Sequence, residues 1–237
     1  MKSCAFLICW LLCCRVSSAQ EEKIYRASTL QIPLFIEDEE HGVFIEVFQE
    51  VVKRVGERVE LIISSGNRSK KMFCDGDVDI YFPALENSLT CSFVSSAPFY
   101  RKEEIVFVPE GSPIISDIAQ LEGKLVGVTK GYSYGAGLVS NSKIDLDYAD
   151  SDVLNMRKLS KGRIQAFVVE TQSGLKALQE SGVTNVAYDV KKPLSARATY
   201  FAFHETDEGR ALAEKFSNAI EAMISDGTLQ TILNNTQ

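Results

Sequence analysis

Histidine and tryptophan are nearly missing from this 237-residue sequence, which has two histidines, His41 and His204, and one tryptophan, Trp10. Neither histidine is near Cys74 or Cys91 in the chain, so a tetrahedral histidine–cysteine metal site is not expected. No His-Glu-x-x-His pair occurs. Nor does a phosphate-cradling glycine loop, because Gly131-Tyr132-Ser133-Tyr134-Gly135 has no Lys-Ser/Thr behind it. No cofactor is expected. Basic residues are outnumbered, 25 against 32 acidic, for a net charge of −7. That balance argues against nucleic acid or an anionic membrane as partner, since both need a basic patch to displace counterions.

The one sustained apolar run, Cys4 to Cys14, has eleven residues, and a membrane-spanning helix needs about twenty. It follows the basic Lys2 and precedes the small residues Val16-Ser17-Ser18-Ala19. This is the layout of a secretory leader, residues 1–19, cut after Ala19. Cys14 follows Leu11-Leu12-Cys13, where a lipoprotein signal would want Gly, Ala or Ser before the cysteine, so a lipid anchor there is the less favoured reading. Residues 1–19 hold Lys2 and Arg15 but no acid. The remaining 218 residues therefore carry 23 basic against 32 acidic side chains, a net charge of −9. Cys74 and Cys91 are then the only cysteines left. In an oxidising compartment they are a candidate disulfide, with two buried thiols as the alternative.

The rest alternates strand and helix. Phe44, Val47, Phe48, Val51, Val52 and Val55 share one helical face, with Glu46, Gln49, Glu50, Lys53 and Arg54 opposite. Gly56 stops this helix. Strands are predicted at 59–63, 78–82, 104–108, 124–128, 164–169, 185–190 and 198–203, and helices from near Asn67, after Gly131, after Ser151 and at the C-terminus around Asp226-Gly227. The nearly unbroken apolar run Ile164 to Val169 suits a strand covered on both faces. Such alternation predicts open α/β sheets with ligands at the carboxyl ends of strands. Pro109-Glu110-Gly111-Ser112-Pro113 reads as a crossover between two lobes and Lys191-Lys192-Pro193 as the return. The expected division is 20–109 with 193–237 as lobe I and 110–192 as lobe II.

Several stretches together resemble family 3 extracellular solute-binding proteins, the polar-amino-acid class of periplasmic binding proteins. They are Ile32-Pro33-Leu34-Phe35, Gly76-Asp77-Val78-Asp79-Ile80, Ser95-Ser96-Ala97-Pro98-Phe99-Tyr100, Leu121 to Val128, Lys130-Gly131, Gly162 to Glu170 and Asp226-Gly227-Thr228-Leu229. Their order spans nearly the whole chain after the leader. The resemblance implies a type II periplasmic-binding-protein fold: two lobes, each with a mostly parallel sheet flanked by helices, closing on a small polar solute. It also implies a periplasmic monomer serving an ABC-transporter membrane component or a receptor. With no membrane span or signalling domain after Gln237, a free-standing protein is expected.

By position, the resemblance points to Gln31, where the family often has an aromatic platform, and to Leu85 and Glu86 after the strand ending near Pro83. It also points to Tyr132, Ser133 and Tyr134 at an expected helix start, and to Glu170 as the acid that pairs with a ligand ammonium. The family's carboxylate-gripping arginine is absent. No Lys or Arg lies between Lys71 and Arg101, and its position falls near Cys91. A ligand bearing an amine, amino-acid-like or otherwise, is therefore expected. The alternative is an enzyme of the same fold, such as a cyclohexadienyl dehydratase, with Glu170 as general acid.

Overall fold

The apolar strands and amphipathic helices assemble into one continuous sheet bent into two halves, seen in a computed structural model that describes residues 23–86 and 88–234. The expected leader, with Trp10 and Cys14, lies outside the described residues.

In the first half, β1 (Ile24–Leu30) runs parallel to β2 (Arg58–Ser64) and to β3 (Ile80–Ala84). Helix α1 (Val43–Val55) and α2 (Gly66–Cys74) connect them. The one-sided pattern of α1 buries Phe44, Val47, Phe48 and Val51, and Gly56 ends it in the left-handed conformation, φ 74°, which favours glycine. The α1 face packs on Phe82 and Phe99, on Phe201 and Phe203 of β10 (Ser195–Phe203), and on Phe216, Ile220 and Met223 of α6 (Asp207–Ser225). The short β4 (Val94–Ser95) pairs with β10, and α7 (Thr228–Asn234) follows α6.

The second half repeats the scheme. There β6 (Leu125–Thr129) runs parallel to β7 (Asp145–Ala149) and β8 (Ala166–Glu170), with α3 (Ala136–Val139), α4 (Asp152–Ser160) and α5 (Thr171–Ser181) as connections. Ser151 caps α4 by accepting from Leu154 N at 3.2 Å. Both faces of β8 are covered: Ala166 and Val168 face one apolar cluster, Phe167 and Val169 the other. The unbroken apolar run follows from this double burial.

Two antiparallel strands join the halves. β5 (Tyr100–Pro109) pairs with β10 over residues 100–104 and then with β8 over 104–107; its end pairs with β9 (Val186–Ala187). The strand order is thus β2-β1-β3-β10-β5-β8-β6-β7.

Several boundaries differ from the sequence reading. β5 begins at Tyr100, four residues before Glu104, because residues 100–104 pair with β10; Lys102 pairs with the buried Glu104 while Arg101 stays exposed. β9 has two residues where six were expected, since Tyr188 and Val190 are exposed. The helix after Gly131 begins only at Ala136. The Cys74 and Cys91 sulfurs stand 2.00 Å apart, with Cα atoms at 5.5 Å. No helix among the described residues is long and apolar enough to cross a membrane.

Candidate functional site

The carboxyl ends of β1, β3, β6 and β8 converge between the two halves, and a cavity of about 60 Å³ lies there, where ligands sit in open α/β sheets. Leu30, Ile32, Phe35, Phe44, Pro83 and Leu85 give it an apolar wall from the first half, joined by Tyr81 and Lys70. The crossing strands supply Tyr100, Lys102 and Thr199, and the second half supplies Gly131, Tyr132, Ser133, Glu170 and Ser173.

Glu170 ends β8 and caps α5. Its carboxylate accepts from Gln172 N at 3.1 Å, Ser173 N at 2.8 Å and the Tyr100 hydroxyl at 3.0 Å. Burial pushes its pKa up; these hydrogen bonds offset only part of that. Glu104 is the second buried acid, 1% exposed. It stands directly opposite Glu170 across the β5–β8 pair, a placement that like charges disfavour. Lys102 Nζ at 2.9 Å and Arg197 Nη2 at 2.7 Å neutralise it, and Ser195 Oγ donates a hydrogen bond at 2.6 Å.

The 131–135 turn receives these cations as well. The Ser133 carbonyl accepts from Lys102 at 2.8 Å and Arg197 at 2.9 Å, while Ser133 Oγ accepts from Lys70 Nζ at 2.8 Å. Because α3 starts at Ala136, Tyr132 to Tyr134 offer no helix N-terminus for a carboxylate, contrary to the sequence expectation. The turn presents acceptors to lysine and arginine instead. Its residues also spell Gly-x-Ser-x-Gly, but neither histidine reaches Ser133. Ser133 has Lys70 as partner, His41 binds Asp38 at 2.8 Å, and His204 Nε2 contacts Val78 O at 2.8 Å while its ring stacks on Phe73.

Of the residues singled out from sequence, Leu85, Tyr132, Ser133 and Glu170 line the cavity together. Gln31 is exposed and donates to Glu37 O at 3.0 Å; its neighbour Ile32 is the one at the cavity. Glu86 is exposed. Tyr134 is buried beneath the turn, its hydroxyl accepting from Thr129 N at 2.7 Å and its ring 5.4 Å from Lys102 Nζ. Sequence reasoning missed Lys70, Lys102, Arg197, Ser173 and Thr199. A signal existed for one of them: in Arg101-Lys102-Glu103-Glu104, alternate residues share a strand face, which puts Lys102 beside the buried Glu104.

The two halves touch around the cavity. Besides Lys70–Ser133, Lys176 on α5 pairs with Glu37 at 2.7 Å. The backbones of Gly66 and Gly131 meet so closely that a Cβ on Gly66 would lie 2.7 Å from the Gly131 carbonyl oxygen.

No protein-family model matches this sequence, and no curated protein matches it. Solved structures do. The GluR0 ligand-binding core from Nostoc punctiforme in complex with L-glutamate superposes with a TM-score of 0.72 at 20% identity, over 89% of this chain and 98% of that one. An ancestral arginine-binding protein bound to arginine gives 0.71 at 20%, over 90% and 97%. The substrate-binding protein of an amino-acid ABC transporter gives 0.68 at 18%, over 90% and 98%. The chain has the type II periplasmic-binding-protein fold. In the terms of that fold, the two halves are the lobes, β5 and β10 are the strands crossing between them, and the cavity is the interlobe cleft.

Proposed function

We propose that the protein is a secreted solute-binding protein that closes its two lobes around one small polar, amino-acid-like solute and releases it unchanged. One observation carries this reading. Lys70, Lys102 and Glu170 come from separate elements on both sides of the cleft, yet all line one cavity. Charged groups around a small, largely apolar cavity suit a ligand that both neutralises and fills it. The structural likeness to a glutamate-bound core, an arginine-binding protein and an ABC-transporter component supports the same class. We assign residues 20–109 with 193–237 to lobe I and 110–192 to lobe II, with Ile105 to Val108 packing on the second. The location we propose is the periplasm, reached through the 1–19 leader. The partner is an ABC-transporter membrane component or a receptor, and the protein itself a monomer.

Thermal-shift and calorimetric titration with L-amino acids, amines and dicarboxylates tests the proposal. A solute at about one hundred times its dissociation constant should stabilise the protein by about 2.7 kcal/mol. If no small solute of any class moves the melting point, the reading fails. Prephenate, the substrate for the dehydratase alternative, should remain unconverted.

We also propose that Cys74 and Cys91 are bridged. The bond would close a loop across 17 positions, tying α2 to the segment before β4 and contributing about 3 kcal/mol by restricting the unfolded chain. Protein lacking the leader should show no free thiol until reduced, and the Cys74→Ser/Cys91→Ser double variant should lose about that much stability. Two reactive thiols after denaturation without reductant would refute the bridge.

A further inference from the structure

Among the cations around the cleft, Lys70 has no carboxylate partner among the described residues. Lys102 and Arg197 share Glu104. Glu170 is engaged by the first turn of α5 and by Tyr100. Lys70, half-buried in the cavity wall, has one hydrogen-bond partner among the described residues, the neutral Ser133 hydroxyl. An ammonium has three N–H groups to place, and a desolvated cation calls for a counter-ion.

Two hydroxyls in the same lining are also unanswered. Ser173 and Thr199 are each 2% exposed, and neither side-chain oxygen has a hydrogen-bond partner. Ser173 belongs to the turn that Glu170 caps, and Thr199 is the register partner of Tyr100, whose hydroxyl reaches Glu170. The cavity therefore has two polar ends. One is Lys70 with Ser133, lacking an anion. The other is Glu170 with Ser173 and Thr199, able to accept hydrogen bonds from a cation.

We infer that Lys70 is the residue that binds an anionic group in the cleft, opposite the Glu170 end where the resemblance already implies a ligand ammonium, so that the ligand is a small zwitterion with its carboxylate on Lys70. This rests on the solute-binding reading above and extends it. It adds an anionic group, held by Lys70, to the amine-bearing ligand expected from the sequence. The missing arginine after β3 is offset by a lysine from α2, a different element on the same lobe.

The test is calorimetry of the intact protein with the twenty L-amino acids and the amines formed by removing their carboxylate. At least one amino acid should bind, and its amine should bind at least about 30-fold more weakly, the size expected when one member of a desolvated charge pair is removed. In Lys70→Gln the affinity for that amino acid should fall by a similar factor and the gap to the amine should close; Lys70→Arg should restore most of it. Burial and the nearby Lys102 hold the Lys70 pKa below the ordinary lysine value. Binding should therefore weaken as pH rises into the alkaline range, where Lys70 and the ligand ammonium both lose protons, and Lys70→Arg should remove only the part owed to Lys70 and so shift the weakening to higher pH. An amine that binds as tightly as its amino acid, or a Lys70→Gln variant that keeps the gap, would overturn the Lys70 assignment while leaving the solute-binding reading intact. Binding of dicarboxylates alone would overturn the zwitterion in the same way. Failure of every solute to bind would instead remove the solute-binding reading itself.

Discussion

Glu104→Ala should lower the free energy of unfolding by about 3–5 kcal/mol, the cost of leaving a buried charge without its partner. Glu104 is 1% exposed and holds Lys102, Arg197 and Ser195 at once. Its removal strands two cations, and Arg197 already has one N–H, Nε, without a partner. Glu103 is the matched control. It sits on the opposite face of β5, more exposed, and pairs with Arg101 at 3.2 Å. Surface pairs of that kind contribute about 0–1 kcal/mol, so Glu103→Ala should be nearly silent. Urea unfolding of both variants measures the contrast, and equal midpoints would refute the role given to Glu104.

The same residue predicts a pH dependence. Burial alone would raise the Glu104 pKa, but the charges of Lys102 and Arg197 and the bonds from Ser195 and Lys102 outweigh it, leaving the folded value below the ordinary 4.5. A carboxylate with a lowered folded pKa contributes stability above its unfolded value and loses it as pH falls through the folded value. The wild-type protein should therefore lose stability below about pH 4.5, and Glu104→Ala should lose less over that range. Glu170 acts with the opposite sign, because burial raises its pKa. It faces Glu104 across the β5–β8 pair, and Lys102, the partner of Glu104, acts to lower its pKa, so the comparison is made in a Glu170→Gln background, where the difference between the pH profiles isolates Glu104.

Much of the fold could be read from the sequence because its causes are local. The α1 stripe, the Gly56 stop, the Ser151 cap and the doubly covered β8 each follow from residues within a few positions. The site was legible only in part, and the division is physical. Leu85, Tyr132, Ser133 and Glu170 stand directly after strands, where chain topology alone delivers them to the cleft. Lys70 lies five positions into α2, and Thr199 and Arg197 sit mid-strand on β10; all three are brought in by the approach of distant elements. Gln31 points away because the chain turns between β1 and α1, where Ile32 bonds with Ile36 instead. The helix expected after Gly131 is delayed because the turn's Ser133 carbonyl is taken by Lys102 and Arg197.

If the protein closes on a solute as proposed, Gly66→Val should abolish that closure and weaken ligand binding by about 100-fold or more, while the melting point without ligand barely changes. Gly66 opens α2 on the first lobe and faces Gly131 on the second. A Cβ there would lie 2.7 Å from the Gly131 carbonyl oxygen and 3.0 Å from a methyl of Leu30. The Leu30 side chain can turn aside; a backbone carbonyl cannot, so the lobes must part. Overpacking of this kind costs about 1–3 kcal/mol for a single added carbon against a fixed neighbour, and valine brings two further methyls. Every 1.4 kcal/mol is a tenfold loss of affinity, because the open protein must be forced into the binding-competent shape. Gly131 is the poorer site for the same test, since its φ of +80° would add backbone strain to any substitution. Scattering measurements should show the wild-type radius shrinking with ligand and the variant's staying constant. Should the variant bind within about threefold of wild type, the Gly66–Gly131 contact does not set closure.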